Sequence, residues 1–347
     1  MYIAGLDGVR AVSVLIVIAS HAGFSMIPGG LGVEFFFVLS GFLITYLSIE
    51  GIKKGKYSVL VFFIRRFFRI IPPLIFIYLT FSMLNYIFSY DSFVEYEVSF
   101  LYRIFVANYY IIFNGSSGLL DGMGILWSLC VEEHFYFFFP LLVSIFLLTR
   151  YPVKWGILLV FVILIFWRFV TYLWFDYSLD YYYYATEMRS IYIVMGSILA
   201  AFPILHSRRE KITYKYEVVI LFVALFTLVL SFLISSEDAY RFFWRDLIHI
   251  PVLCLILRSI MIIPEYPLVS ILEQRFLRFI GGISYVLYLS HLCITRLIGK
   301  YFDFSLVSNF IVILILSVFY AVFVRWLVER PTQRLRNKIL QKSINQE

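Results

Sequence analysis

Long apolar stretches alternate with short polar ones along the whole chain. A helix that crosses the hydrocarbon core of a bilayer needs about 20 mostly apolar residues. Ten stretches meet that length: 9–27, 31–49, 70–90, 128–149, 155–176, 189–206, 216–235, 245–262, 277–298 and 306–328. The pattern predicts an all-α fold, a polytopic transmembrane helix bundle of about ten spans forming one domain over 1–347. Residues 91–127 are left as a long connection on the outer face. Inside it, 98–114 is apolar and aromatic but carries Arg103, Asn108 and Asn114. Counting it as a further span would invert every later loop, so it is expected to be an interfacial or re-entrant element. The first apolar stretch lacks a small-residue cleavage site and reads as a retained span rather than a signal peptide.

Composition agrees with lipid as the solvent. Of the 347 residues 62% are hydrophobic and only 15% charged, with a mean hydropathy of +0.90. Such a chain cannot cover its apolar atoms with polar surface, which excludes an ordinary soluble enzyme. The net charge of +7 changes meaning in this setting. In a soluble protein it would suggest nucleic acid. Here the cations gather in alternate connections: Lys53, Lys54, Lys56, Arg65, Arg66 and Arg69, then Arg150 and Lys154, then Arg208, Arg209, Lys211 and Lys215, then Arg275 and Arg278, then the tail from Arg330. Positive residues stay on the cytoplasmic side, so both termini are expected inside, and no nucleic-acid partner is implied. The three cysteines, Cys130, Cys254 and Cys293, have no metal-binding spacing and read as small hydrophobes.

Candidate chemistry sits where polar residues interrupt the apolar runs. An ionisable group at mid-membrane costs at least ~2.5–3.5 kcal/mol, so each one asks for a reason. In the first span Asp7 is placed to cap the helix, while Arg10 and His21 are eleven residues apart. That spacing is close to three turns, which puts both side chains on one face about 16 Å apart. The plainer reading is a snorkelling arginine and a histidine bonded to a neighbouring helix. In the second span Ser40 and Gly41 suit close helix packing, and Glu34 lies near the outer mouth, where it can simply be solvated. Arg66 and Arg69 share a helix face and suit phosphate, although on spacing alone anchoring at anionic lipid explains them better.

The fourth span opens Trp127-Ser128-Leu129-Cys130-Val131-Glu132-Glu133-His134. Adjacent residues point about 100° apart, so Glu132 and Glu133 cannot both face one site. The ninth span carries Ser284, Tyr288 and His291 as a polar seam that either packs the bundle or lines a cavity. Arg168, in the middle of the fifth span, needs a partner that the sequence does not identify.

Taken in order, these motifs resemble the acyltransferase-3 family of bacterial membrane O-acyltransferases. The resemblance is carried by Leu6-Asp7-Gly8-Val9-Arg10 with His21, Phe36 to Leu43, Arg66-Phe67-Phe68-Arg69 before Pro72, Trp127-Ser128-Leu129 with Glu132, Ile283 to His291, and Glu329-Arg330-Pro331. It covers nearly the whole chain and is to the stand-alone type, because the sequence ends soon after the tenth span. Three departures stand out: His134 where the family usually has Gln, Leu126 where a small polar residue is common, and Cys293 where Pro often follows the histidine.

The resemblance implies a multi-pass protein of the bacterial inner membrane. It implies acetyl-CoA as a cytoplasmic donor, no metal, and a glycan or lipid-linked oligosaccharide as acceptor. Arg10, Arg66 and Arg69 would hold the donor. His21 would act as general base or acyl carrier, with Glu132 orienting it. Trp127, Ser128, Glu133, Ser284, Tyr288 and His291 would meet the acceptor. The rival reading is a transporter or flippase, with the buried His and Arg residues as a substrate path. A scaffold role would leave the buried charges unexplained.

Overall fold

A computed structural model describes residues 3–89, 105–115, 119–175, 177–202, 211–234 and 240–344. Among the described residues all regular structure is helical, as the apolar periodicity predicts. The helices are α1 (Leu6–His21), α2 (Gly29–Lys53), α3 (Val59–Ser89), α4 (105–114), α5 (Leu126–Leu148), α6 (Val153–Trp174) and α7 (Leu179–Tyr184). They continue as α8 (Thr186–Ala201), α9 (Lys211–Leu233), α10 (Arg245–Ile262), α11 (Pro267–Ser270), α12 (Arg275–Tyr301), α13 (Leu306–Val324) and α14 (Arg330–Ile344).

Each of the ten expected spans overlaps a helix, with 22–27 beyond the end of α1 and 90, 176, 203–206 and 235 outside the described residues, but the helices are not equivalent. Seven of the described helices are long and apolar enough to cross a membrane, and α10 with its sharply bent continuation would make an eighth. The other two, α1 and α8, have only 16 residues each. Such a helix reaches about 24 Å, short of the ~30 Å hydrocarbon core. Both lie inside the bundle. In α8, 13 of the 16 residues are buried, including Arg189. Helices surrounded by protein need neither the length nor the unbroken apolarity of a lipid-facing span. By contrast, α6 buries only Gly156, Ile157, Arg168 and Thr171 and turns Leu159, Ile163 and Phe166 outward.

The segment 65–69, which the charge pattern reads as a loop, is the second turn and beyond of α3. No Gly or Pro breaks the helix between Val59 and Ile71, and Pro72 and Pro73 are accommodated inside it. The arginines therefore project from a fixed helical surface. Of the expected interfacial element, 98–104 lies outside the described residues, and 105–114 is helical. Its Asn108 amide donates to Tyr184 O and to Thr186 Oγ1, which ties α4 to the start of α8.

The centre is built by α1 packing on α2 and α12, and by α2 crossing α8. Close approach needs glycine at the crossings. A Cβ on Gly281 would lie 1.9 Å from Asp7 O, and one on Gly41 would lie 1.8 Å from Ile193 O. The first contact sets α12 directly against α1, which brings the far ends of those helices together as well. The second holds α8 in the core.

Gly41→Ala should therefore destabilise the protein by at least ~1–3 kcal/mol, the range for overpacking. Gly299, where an added Cβ meets nothing within 4 Å, is the contrast. Gly299→Ala should raise stability by ~0.5–1 kcal/mol through helix propensity. Thermal unfolding in detergent, followed by size exclusion, should show midpoint shifts of opposite sign.

Candidate active site

Two cavities enter the bundle from opposite ends, and a single tyrosine helps to separate them. The first, of about 290 Å³, opens at the end that carries Arg10, Arg66 and Arg69. Its wall includes Glu132 and Tyr136 of α5, Ser40 of α2, and Ser284 and Tyr288 of α12. Arg10 donates to Asp7 Oδ1 at 2.8 Å, one helical turn away. The Tyr136 hydroxyl donates to Glu132 Oε2 at 2.8 Å and accepts from Ser40 Oγ. The guanidinium of Arg66 lies 4.9 Å from the centre of the Tyr136 ring. Cation, ring, hydroxyl and carboxylate thus form one connected unit. Arg66 and Arg69 also line a second, adjoining basic cavity of about 230 Å³ with Lys56, Arg65 and Arg336.

The cavity at the opposite end, of about 370 Å³, holds His21, Trp127, Tyr183, Arg189 and Arg245 in its wall. His21 Nδ1 is 3.0 Å from His291 Nε2, and His291 Nδ1 is 2.5 Å from Tyr288 O. A carbonyl oxygen only accepts, so His291 carries its hydrogen on Nδ1. Its Nε2 then accepts, and His21 donates from Nδ1. This leaves the lone pair of His21 on Nε2, the tautomer that a base or nucleophile needs. The proximity of the two rings follows from the glycine contact of α1 with α12, since both histidines lie near the far ends of those helices.

Tyr288 borders both cavities. Ser128 Oγ donates to Ile125 O at 3.0 Å, so the Tyr288 hydroxyl donates to Ser128 Oγ across 2.7 Å. This pair lies at the boundary between the two chambers, which Val33 also borders. The glutamate and histidine candidates fall on different sides of this pair. Glu132, expected from the family resemblance to orient that ring, lies one turn beyond Ser128 and lines the basic chamber instead. The ring next to His21 is His291.

The remaining predicted residues divide between the chambers. Trp127 lines the far one, edge-on to Phe37 and 5.2 Å from the ring centre of Tyr183. Ser284 lines the basic one. Glu133 borders neither of these cavities, because the step from Glu132 turns it away by about 100°.

Comparison with known proteins bears on this arrangement. The family described as an acyltransferase domain matches residues 3–330. The chain belongs to this acyltransferase family. It is also similar to O-acetyltransferase OatA of Staphylococcus aureus, in strain NCTC 8325 / PS 47 and in strain COL, at 30% identity over 319 residues. The match takes in 87% of this chain and 52% of each relative, so the chain spans about half the length of these curated relatives. No solved structure matches the chain significantly.

Of the departures from the family pattern, His134 has a structural partner on each side. Its Nε2 donates to Phe105 O at 2.7 Å, and its Nδ1 meets Thr186 Oγ1 at 2.7 Å, joining α4, α5 and α8. Cys293, like Cys130 and Cys254, is buried and forms no disulfide.

The largest feature that sequence reasoning missed lies in the floor of the far cavity. Arg168 NH2 donates to Asp246 Oδ2 at 2.7 Å, which identifies its partner. Arg189 bridges Asp246 Oδ2 at 3.1 Å and Glu34 Oε1 at 3.2 Å. His249 Nδ1 donates to Glu34 Oε2 at 2.8 Å, and Tyr192 donates to Asp246 Oδ1 at 2.9 Å. Glu34 is therefore not solvated at the mouth; it is 4% exposed and ion-paired. The available signal was the pairing rule for buried charge: Glu34, Arg168, Arg189, Asp246 and His249 each interrupt an apolar context. Arg189 and Asp246 escaped attention because they open their helices and look like loop residues.

Removing one partner of a buried ion pair costs ~3–5 kcal/mol, because the other charge is left uncompensated. Asp246→Asn should show a loss of that size. Tyr192→Phe removes one donor and should cost ~1–3 kcal/mol. Thermal unfolding midpoints in detergent should fall in the order wild type, Tyr192→Phe, Asp246→Asn.

Proposed function

We propose that the protein is a membrane O-acyltransferase that takes an acyl group, acetyl above all, from acyl-CoA on one side of the bilayer. It passes the group to a hydroxyl of an envelope glycan, such as an O-antigen or exopolysaccharide, on the other side. The basic end faces the cytoplasm with both termini, in line with the distribution of Lys and Arg. The membrane is the cytoplasmic membrane of a bacterium, as the bacterial relatives suggest. Support for the activity comes from the family and from the names of the relatives.

The observation that carries the reading is the pair of opposed chambers. A cluster of arginines surrounds one, a histidine with a lone pair on Nε2 lines the other, and Tyr288 stands between them. Arg66 and Arg69 lie where the two basic cavities meet. They suit the phosphates of a polyanionic donor, since guanidinium forks match phosphate oxygens. The acyl thioester then extends through the basic chamber past Arg10 toward the boundary.

At His21 the reaction divides into two steps. Nε2 attacks the thioester carbonyl, the C–S bond breaks, and the thiolate leaves. The ring becomes an acyl-imidazolium whose Nδ1 proton moves along the hydrogen bond to His291 Nε2. In the second step a glycan hydroxyl attacks the acyl carbon and the C–N bond breaks; His291 returns its Nε2 proton to His21 Nδ1, and the hydroxyl proton passes to solvent, balancing the proton that the released thiolate takes up. A histidine carrier accounts for two substrates that approach from opposite ends. Direct attack with His21 as general base is the simpler alternative. Glu132 keeps Tyr136 and Arg66 in place beside the donor.

The test compares a deletion strain of the source organism complemented with wild type, His21→Ala or His291→Ala at equal membrane abundance. Proton NMR of the envelope polysaccharide should show O-acyl signals restored fully by wild type, weakly by His291→Ala and not by His21→Ala. His21→Ala should lower transfer at least about 100-fold, the scale of a lost general base or nucleophile. His291→Ala should retain measurable but reduced transfer. Substantial acylation with His21→Ala overturns the assignment. An unmodified glycan in every strain points to an acceptor of another kind or to a transporter. Purified protein incubated with acyl-CoA alone should carry an acyl adduct on the His21 peptide; its absence favours the general-base route.

A further inference from the structure

Among the described residues in and against the far cavity, cationic side chains outnumber anionic ones. Glu34, Asp246, Arg189 and Arg245 all border it, and Arg168 is bound to the same Asp246. Among the described residues two carboxylates are set against three guanidiniums. The two terminal nitrogens of Arg189 are taken by Asp246 and Glu34. Arg189 is 2% exposed, and its Nε is buried with no hydrogen-bond partner. Among the described residues Arg245 makes no ion pair. Its guanidinium lies 5.0 Å from the ring centre of Phe232, and its Nε is likewise buried without a partner. A guanidinium with an unmet donor in the wall of a cavity favours an anion there.

The rest of the cavity suits a sugar. The rings of Trp127 and Tyr183 form an aromatic wall beside Arg189, whose guanidinium lies 5.9 and 5.4 Å from their centres. Flat rings next to fixed donors fit the apolar face and the polar edge of a pyranose. His21 lies in the wall of the same cavity.

We infer that the far cavity binds an acidic sugar, with its carboxylate or phosphate on Arg245 beside Arg189 and its ring on Trp127 and Tyr183. This rests on the far cavity being the acceptor site of the proposed transfer. The anion would pair with the Arg245 guanidinium and fix the orientation of the sugar, so that one of its hydroxyls is presented to His21. Neutral sugars of the same shape would lack that anchor.

The test uses the full chain in lipid nanodiscs and three matched disaccharide probes, ending in glucose, glucuronic acid or glucose 6-phosphate. Equilibrium binding is measured without acyl donor, and transfer is measured separately with acetyl-CoA. At least one acidic probe should bind about tenfold or more tightly than the neutral one, as a charge-assisted contact implies. Arg245→Gln should reduce that ratio to near one, and Arg245→Lys should retain part of it. Arg245 has no ion pair to lose among the described residues, so its variants should fold; unfolding midpoints check this. The glucuronate and phosphate arms show which anion is preferred.

Equal binding of neutral and acidic probes overturns the inference. So does undetectable binding of both acidic probes at millimolar concentration, or an acidic preference that survives in Arg245→Gln. An acidic preference that depends on Arg245, without acyl transfer to any probe, would leave the anion site standing and count against the proposed activity instead.

Discussion

Buried charge must be paired, and this constraint organises the interior. Arg168 on α6, Arg189 on α8, Asp246 and His249 on α10, and Glu34 on α2 form one connected set of ion pairs and hydrogen bonds. Apolar packing alone barely distinguishes helix from lipid, because hydrocarbon is as favourable a neighbour as leucine. A guanidinium without a carboxylate is a different matter, since it costs several kcal/mol in this setting. The network therefore selects which helices are neighbours and at what depth. It also explains why a 16-residue helix with an arginine near its start occupies the centre of the bundle.

The chambers depend on that arrangement. With α8 fixed at the centre, α2 crosses it closely and presents Ser40 to one cavity and Glu34 to the other. The α1–α12 contact then sets His21 against His291, and the hydrogen-bond chain from Tyr288 O determines which nitrogen of His21 holds the lone pair. Tyr288 contributes at both levels. Its carbonyl orients the histidines and its hydroxyl, bonded to Ser128, lies at the boundary. A polar hydroxyl pair is a boundary that can open by exchanging one hydrogen bond, whereas a packed aliphatic wall would have to move bodily.

The two ends differ in character. The basic end is rich in exposed cations that suit a soluble polyanion. The far end encloses a few buried charges and an aromatic wall, which suits a more selective fit. The chambers thus differ in both charge and lining.

Much of this was legible in the sequence. Twenty-residue apolar stretches specify helices in lipid, because no other backbone arrangement meets its own hydrogen bonds there. Each expected span accordingly overlaps a helix. The order of the motifs pointed to the family, and the eleven-residue spacing placed Arg10 and His21 on one helix face. Depth along a helix is also a local property, which is why Trp127, Ser128 and Glu132 fall in sequence from the far chamber through the boundary to the basic one. Tertiary structure alone decided the partners. No spacing within α1 reveals that His21 meets His291, 270 residues away, or that Arg168 meets Asp246 rather than Glu34. Those contacts depend on how helices rotate about their axes and which ones adjoin. That is set by the joint pairing of buried charges and by glycines at crossings, and neither is a property of any single segment.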